Sequence, residues 1–124
     1  MVSLEDGADG IVTLRFVTPV AEGDERAYLD ALHRIGAITR PFALLTVFGG
    51  AGALGREGER EQALWFKATR RHMNEVCRGL AIVRPGATQA MADTFGKLWT
   101  FPVTLEADET SARRRLATYL GSQP

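Results

Sequence analysis

The spacing of apolar positions along the 124-residue chain switches repeatedly between two periods. VSLED and IVTLRFV flank Gly7-Ala8-Asp9-Gly10, and in the second run Val12, Leu14 and Phe16 alternate with Thr13, Arg15 and Val17. Alternation around a glycine-rich turn predicts a β-hairpin, which Thr18-Pro19 ends. Glu22, Asp24 and Glu25 then open a helix, where negative charge complements the helix dipole, and Tyr28, Leu29, Leu32 and Ile35 form its apolar stripe. Phe42 to Phe48 is an almost unbroken apolar run, the pattern of a strand buried on both faces.

A glycine stretch follows, and then a long helix predicted from about Glu59 to Arg78. At about 100° per residue, Trp65, Phe66, Ala68, Thr69, His72, Met73, Val76 and Cys77 fill one half of it. Lys67, Arg70, Arg71, Asn74, Glu75 and Arg78 fill the other. Leu80-Ala81-Ile82-Val83 reads as a second buried strand, stopped by Pro85-Gly86. A third helix carries Met91, Phe95, Leu98 and Trp99 on one stripe, and Phe101 to Leu105 is a last strand. The closing helix runs from Glu109 to Leu120, with Ala112, Leu116, Tyr119 and Leu120 inward and Gly121 as its stop.

The predicted order is β-β-α-β-α-β-α-β-α. It implies one α/β domain over residues 1–124: a mixed, largely parallel sheet of about five strands, with an N-terminal antiparallel hairpin and four helices. A chain of this length supports one real core and not two. Hydrophobic residues are 45% and charged residues 24% of the chain, which places it among globular domains rather than disordered or membrane-spanning chains. Fifteen basic and fifteen acidic residues cancel, removing the electrostatic footprint of a general nucleic-acid binder. The balance is uneven, since residues 1–30 hold seven acids and two bases. Such an asymmetry serves either self-association or simple solvation.

Cys77 is the single cysteine, so no intrachain disulfide forms, in keeping with a reducing cytoplasm. The opening MVSLEDGADG lacks the apolar stretch of a signal peptide. No run approaches the ~20 apolar residues of a membrane helix, so no membrane insertion is expected.

The opening hairpin, the strand FALLTVF before a long helix, the strand LAIV, and the ending FPVTLEADETSARRRLATYL together resemble the STAS-like fold, in particular small bacterial SpoIIAA-like proteins. The resemblance covers nearly the whole chain, and Asp108-Glu109, Ala112 and Tyr119-Leu120 fit its closing strand-turn-helix. It implies a non-enzymatic module that binds a protein partner or a small ligand. Phospho-switched antagonists of anti-sigma factors carry a serine or threonine where the central strand meets its helix. Here no Ser or Thr lies between Thr46 and Thr69, so that switch is chemically excluded and the antagonist role is not carried over.

Gly50-Ala51-Gly52-Ala53-Leu54-Gly55 spells the G-x-G-x-x-G of a dinucleotide turn and, with Arg56, part of a P-loop. A P-loop needs a lysine and a Ser/Thr that are missing here. A dinucleotide turn needs its helix to begin inside the motif, and apolar periodicity resumes only near Ala63. The stretch is therefore read as a strand-to-helix connection. A small nucleotide-binding domain or enzyme using Gly50, Gly52, Gly55 and Arg56 is the alternative.

Elsewhere the candidate chemistry is thin. His72 and Cys77, five apart on a helix, would lie about 140° around it and not meet, which leaves His72 as a core-edge histidine. Two histidines and one cysteine give no structural zinc set, and no cofactor is implied. Arg113-Arg114-Arg115 fan around their helix rather than forming one grip, and no nucleophile–base pair is visible. The bulky set Trp65, Phe66 and Met73 with Met91, Phe95 and Trp99 is different. The two helices that carry it flank adjacent strands, and the set is either closed core or the lining of an apolar cleft. The expected role is a cytoplasmic, non-enzymatic binding module, with a small apolar ligand, a second copy or another protein as its partner.

Overall fold

The hairpin forms where the alternation places it. In the computed structural model, which describes residues 1–18, 21–49 and 54–121, β1 (Val2–Asp6) pairs antiparallel with β2 (Ile11–Val17) from Val2↔Phe16 to Asp6↔Val12. Gly10 turns the chain with φ 86°, a conformation that favours glycine. Then follow α1 (Asp24–Gly36), β3 (Phe42–Gly49), α2 (Arg56–Val76), β4 (Cys77–Val83), α3 (Gln89–Gly96), β5 (Val103–Leu105) and α4 (Glu109–Gly121). The five strands lie in the order β1-β2-β3-β4-β5, and all pairs after the first are parallel.

Each parallel crossover steps to the next strand in the same direction. Crossovers of one hand then put their helices on one face. Accordingly Val12, Leu14, Phe16, Leu44, Leu80 and Ile82 pack toward α1, α2 and the α3 region. Ile11, Ala43, Leu45, Val47 and Ala81 pack toward Ala112 and Leu116 of α4 on the other side. The buried residues of the α4 face are alanines and aliphatic side chains, whereas the opposite face carries large rings.

Element ends depart from the sequence expectation at several places, among them β5, which opens at Val103 rather than Phe101. First, α2 opens at Arg56, a turn earlier than expected. Second, it ends at Val76, and Cys77 and Arg78 belong to β4. Cys77 pairs with Phe42, and the register shifts before Leu44↔Leu80. This irregularity takes the chain from helix to strand without a loop, and an apolar Cys77 suits either period. Third, α3 stops at Gly96, so Leu98 and Trp99 reach the core from the segment after it, not from a helical stripe. Fourth, Gly121 is the last residue of α4 rather than a stop beyond it. Buried in β4, the Cys77 thiol donates to Gly79 O at 3.3 Å, and burial pushes its pKa up to about 12. It behaves as a small hydrophobe.

α2 rests mainly on α1 and only lightly on the sheet. The contacts advance in step along both helices. Arg26 donates to Glu61 at 2.9 and 2.5 Å, Tyr28 Oη donates to Gln62 Oε1 at 2.6 Å, and His33 Nε2 meets Glu61 Oε2 at 2.9 Å. Just past α1, Ile38 O accepts from His72 Nε2 at 2.5 Å, the single partner expected of a core-edge histidine. Two glycines permit the approach. A Cβ on Gly58 would meet Glu25 Oε1 at 2.0 Å, and one on Gly36 would meet Thr69 Cγ2 and Trp65 Nε1, both at 2.8 Å.

The acids of the first thirty residues do not form a separate face. Glu5 pairs with Arg15, Asp6 with Arg40, Asp24 with the N-terminal amine and Asp30 with Arg26.

Two predictions follow from the α1–α2 contact. Gly36→Ala must push aside a stiff β-branched side chain and an indole, a cost of ~1–3 kcal/mol that outweighs the helix-propensity gain of under ~1 kcal/mol. Urea unfolding should show a lower midpoint, and an unchanged midpoint would mean that the helices are free to separate. The Glu61 carboxylate is held at about 2 by bonds from Arg26 and then His33. Its contribution is complete well above the ordinary value of 4.5, fades as pH falls below that value and is gone near pH 2. The stability gap between wild type and Glu61→Gln should therefore be present at neutral pH and narrow steadily below about pH 4.5. A gap independent of pH would show that the pair contributes nothing.

Candidate functional site

Under α2 and α3 the sheet is not sealed. A cavity of about 390 Å³ lies there, within the ~300–1,000 Å³ typical of small-molecule sites. Its floor comes from alternate positions of three strands, Leu14 and Phe16, then Leu44, Thr46 and Phe48, then Leu80 and Ile82. These are the side chains that a two-residue period turns to one face. Its roof and far wall contain all six residues of the bulky set, Trp65, Phe66, Met73, Met91, Phe95 and Trp99. Of these, Trp65, Met73 and Trp99 are buried and the other three are half-buried.

The reason for the opening is the shape of its walls. Trp65, Phe66, Phe95, Trp99 and Phe101 form a continuous ring cluster. Centroids are 5.3 Å apart for Trp65–Phe66, 5.8 Å for Phe66–Trp99, 6.3 Å for Phe66–Phe95 and 5.1 Å for the stacked pair Trp99–Phe101. Tilted and edge-on pairs are favourable for aromatic rings. They also form a rigid frame that props α2 and the α3 region off the sheet. The indole N–H groups of Trp65 and Trp99 are buried without a hydrogen-bond partner among the described residues.

A second aromatic group stands on the opposite side of the cavity. Tyr28 packs against Phe16 at 5.3 Å and Phe48 at 6.2 Å, and the Arg84 guanidinium lies over the Phe48 ring at 5.7 Å from its centroid. Burial pushes the Tyr28 hydroxyl up to about 12, partly opposed by the nearby charge of Arg84. It is a neutral donor, bonded to Gln62. The exposed residues Glu59, Arg84 and Pro85 mark the mouth. Thr46 has its hydroxyl bonded to Ala81 O at 3.4 Å, so the interior is apolar with a polar rim. Tyr28, Gln62 and Arg84 were not singled out by the sequence reading. For Arg84 a signal existed, because it directly follows a buried strand at the carboxyl edge of the sheet, where open α/β sheets place ligands.

The glycine loop offers less. Gly50 and Gly52 lie outside the described residues. Gly55 is the N-cap of α2, so the helix does begin at the motif, contrary to the expectation from periodicity. Its amide is nevertheless engaged, because Gly55 N donates to Glu25 Oε1 at 2.8 Å. The same carboxylate covers Gly58. An acidic side chain of the protein therefore holds the place where an anion would meet the helix end. Arg56 is exposed beside it.

Other candidates are dispersed. His72 on α2 bonds backbone and Cys77 is buried in β4, so the two do not form a pair. Arg113 donates to Thr13 Oγ1 at 2.9 Å and Arg115 meets Glu106 at 3.6 Å, which separates the arginine run by function as well as by angle. Among the described residues no group of three or more His, Cys, Asp or Glu could hold a metal ion. No helix among them is long and apolar enough to cross a membrane.

No protein-family model matches the chain, and no curated protein matches it. Among solved structures it is similar to an uncharacterised protein of the DUF3478 family from Shewanella loihica PV-4, described as having a SpoIIAA-like fold. The two superpose with a TM-score of 0.63 at 13% identity, over 94% of this chain and 92% of the other. Identity at that level speaks for architecture alone. Together with the five-stranded mixed sheet and four helices, it establishes that this chain adopts the SpoIIAA-like α/β fold.

Proposed function

We propose that this chain is a non-enzymatic binding module that takes a small, largely apolar molecule into the cavity between its sheet and α2/α3. The observation that carries the reading is the cavity itself. It is of ligand size, walled by Trp65, Phe66, Met73, Met91, Phe95 and Trp99, and rimmed by a few polar groups. Removing apolar ligand surface from water there is worth roughly 25 cal/mol per Å². The rigid ring frame keeps the site formed, which reduces the ordering cost of binding. A reducing cytoplasm suits a chain whose one cysteine is a buried thiol.

Association with a second copy or another protein is the weaker reading. Among the described residues the large exposed hydrophobics are Met1 and Leu64 alone, and scattered single side chains do not make an interface.

Two measurements check the proposal. Native mass spectrometry of protein purified without added ligand should show a retained adduct of low mass. The neutral fluorophore N-phenyl-1-naphthylamine should bind saturably at one site per chain. Ala92 is 3% exposed and lines the cavity, so Ala92→Phe should fill the space and weaken that binding by about tenfold or more. Saturable binding that Ala92→Phe leaves untouched would place the site elsewhere, and no saturable binding would end the reading.

A further inference from the structure

Resting on that reading, we propose that Arg84 receives the anionic head of the ligand, so that the molecule held is an amphiphile with a single carboxylate rather than a neutral hydrocarbon. Arg84 is the one basic side chain among the described residues that line the cavity. Arg15, Arg26, Arg40, Arg113 and Arg115 each have an acidic partner, and other arginines without an ion pair among the described residues, such as Arg34, Arg60, Arg70 and Arg71, are not part of that lining. Arg84 has no ion pair among the described residues, although it stands on the wall of an apolar cavity and also borders the shallow groove beside it. Of the acids nearby, Glu106 is turned to Arg115, and Glu59 is exposed at the far lip on α2.

The guanidinium is also placed. Its position over the Phe48 ring holds the plane by cation–π attraction and leaves the edge N–H groups for a ligand, in the fork that matches carboxylate oxygens. Tyr28 gives its proton to Gln62 Oε1, which leaves the Gln62 amide N–H₂ as a further donor at the same rim. One guanidinium matches the single charge of one carboxylate, whereas a phosphate dianion would leave a charge unmatched by any basic side chain among the described lining residues.

The test uses the full chain and a matched series of dodecanoate, dodecanol and dodecylammonium, each kept below its micelle concentration. Each displaces N-phenyl-1-naphthylamine from wild type and from the Arg84→Met, Arg84→Lys and Glu59→Gln variants. Dodecanoate should bind about tenfold or more tightly than dodecanol, with the advantage falling as salt rises. Arg84→Met should remove that advantage, so that dodecanoate and dodecanol bind alike, and Arg84→Lys should restore part of it. Equal binding of dodecanoate and dodecanol in wild type would overturn the role of Arg84 while leaving the cavity reading intact. A preference for dodecylammonium that Glu59→Gln abolishes would also overturn it. If Arg84→Met weakens all three probes together, Arg84→Lys decides, because a retained dodecanoate preference requires the charge and its loss refutes it. Failure of every probe, including the neutral fluorophore, would remove the cavity reading and this inference with it.

Discussion

Three crossovers that each step to the next strand in one direction set the rest of this structure. Because β2, β3, β4 and β5 are neighbours in chain order, the helices between them fall on one side, and α4 is left to cover the other alone. Small side chains make part of that contact. Ala43 and Ala81 meet Ala112 and Leu116 there, and all four are almost fully buried. The crowded side has the opposite problem. Three connections share one face, and their side chains are among the largest in the chain.

The cavity follows from how that crowding is resolved. α1 sits on the hairpin strands and takes α2 as its neighbour through Gly36, Gly58, the Arg26–Glu61 pair and the Tyr28–Gln62 bond. α2 is thereby held by α1 rather than by the sheet. Trp65, Phe66, Phe95 and Trp99 brace it from the other side. Rings arranged edge to face fill a shell well but leave space behind them, so the void is a property of the frame.

Electrostatics is distributed to match. Several charges close short pairs, such as Arg15 between Glu5 and Glu109, which raises the Arg15 pKa and lowers that of Glu109. Exposed pairs of this kind contribute little individually. The guanidinium at the cavity mouth is set apart by its place, as the one basic side chain among the described lining residues.

The architecture was legible in the sequence because it depends on periodicity. Alternation in IVTLRFV, unbroken runs in FALLTVF and LAIV, and the two-sided long helix dictate the strands, the helices and their order. Strict chain-order crossovers then leave few topologies. The same signals brought Trp65, Phe66, Met73, Met91, Phe95 and Trp99 together as one set. What period alone does not fix is where one element yields to the next, since Cys77 fits a helical stripe and a buried strand equally well. A β-bulge in tertiary pairing assigned it to β4. Nor does period say whether large side chains on one face close or leave a void, because that depends on the distance at which other helices hold them. The positions of Tyr28, Gln62 and Arg84 around one mouth, and of Glu25 on the Gly55 amide, were decided only in three dimensions. They join residues from separate elements whose spacing in the chain carries no common period.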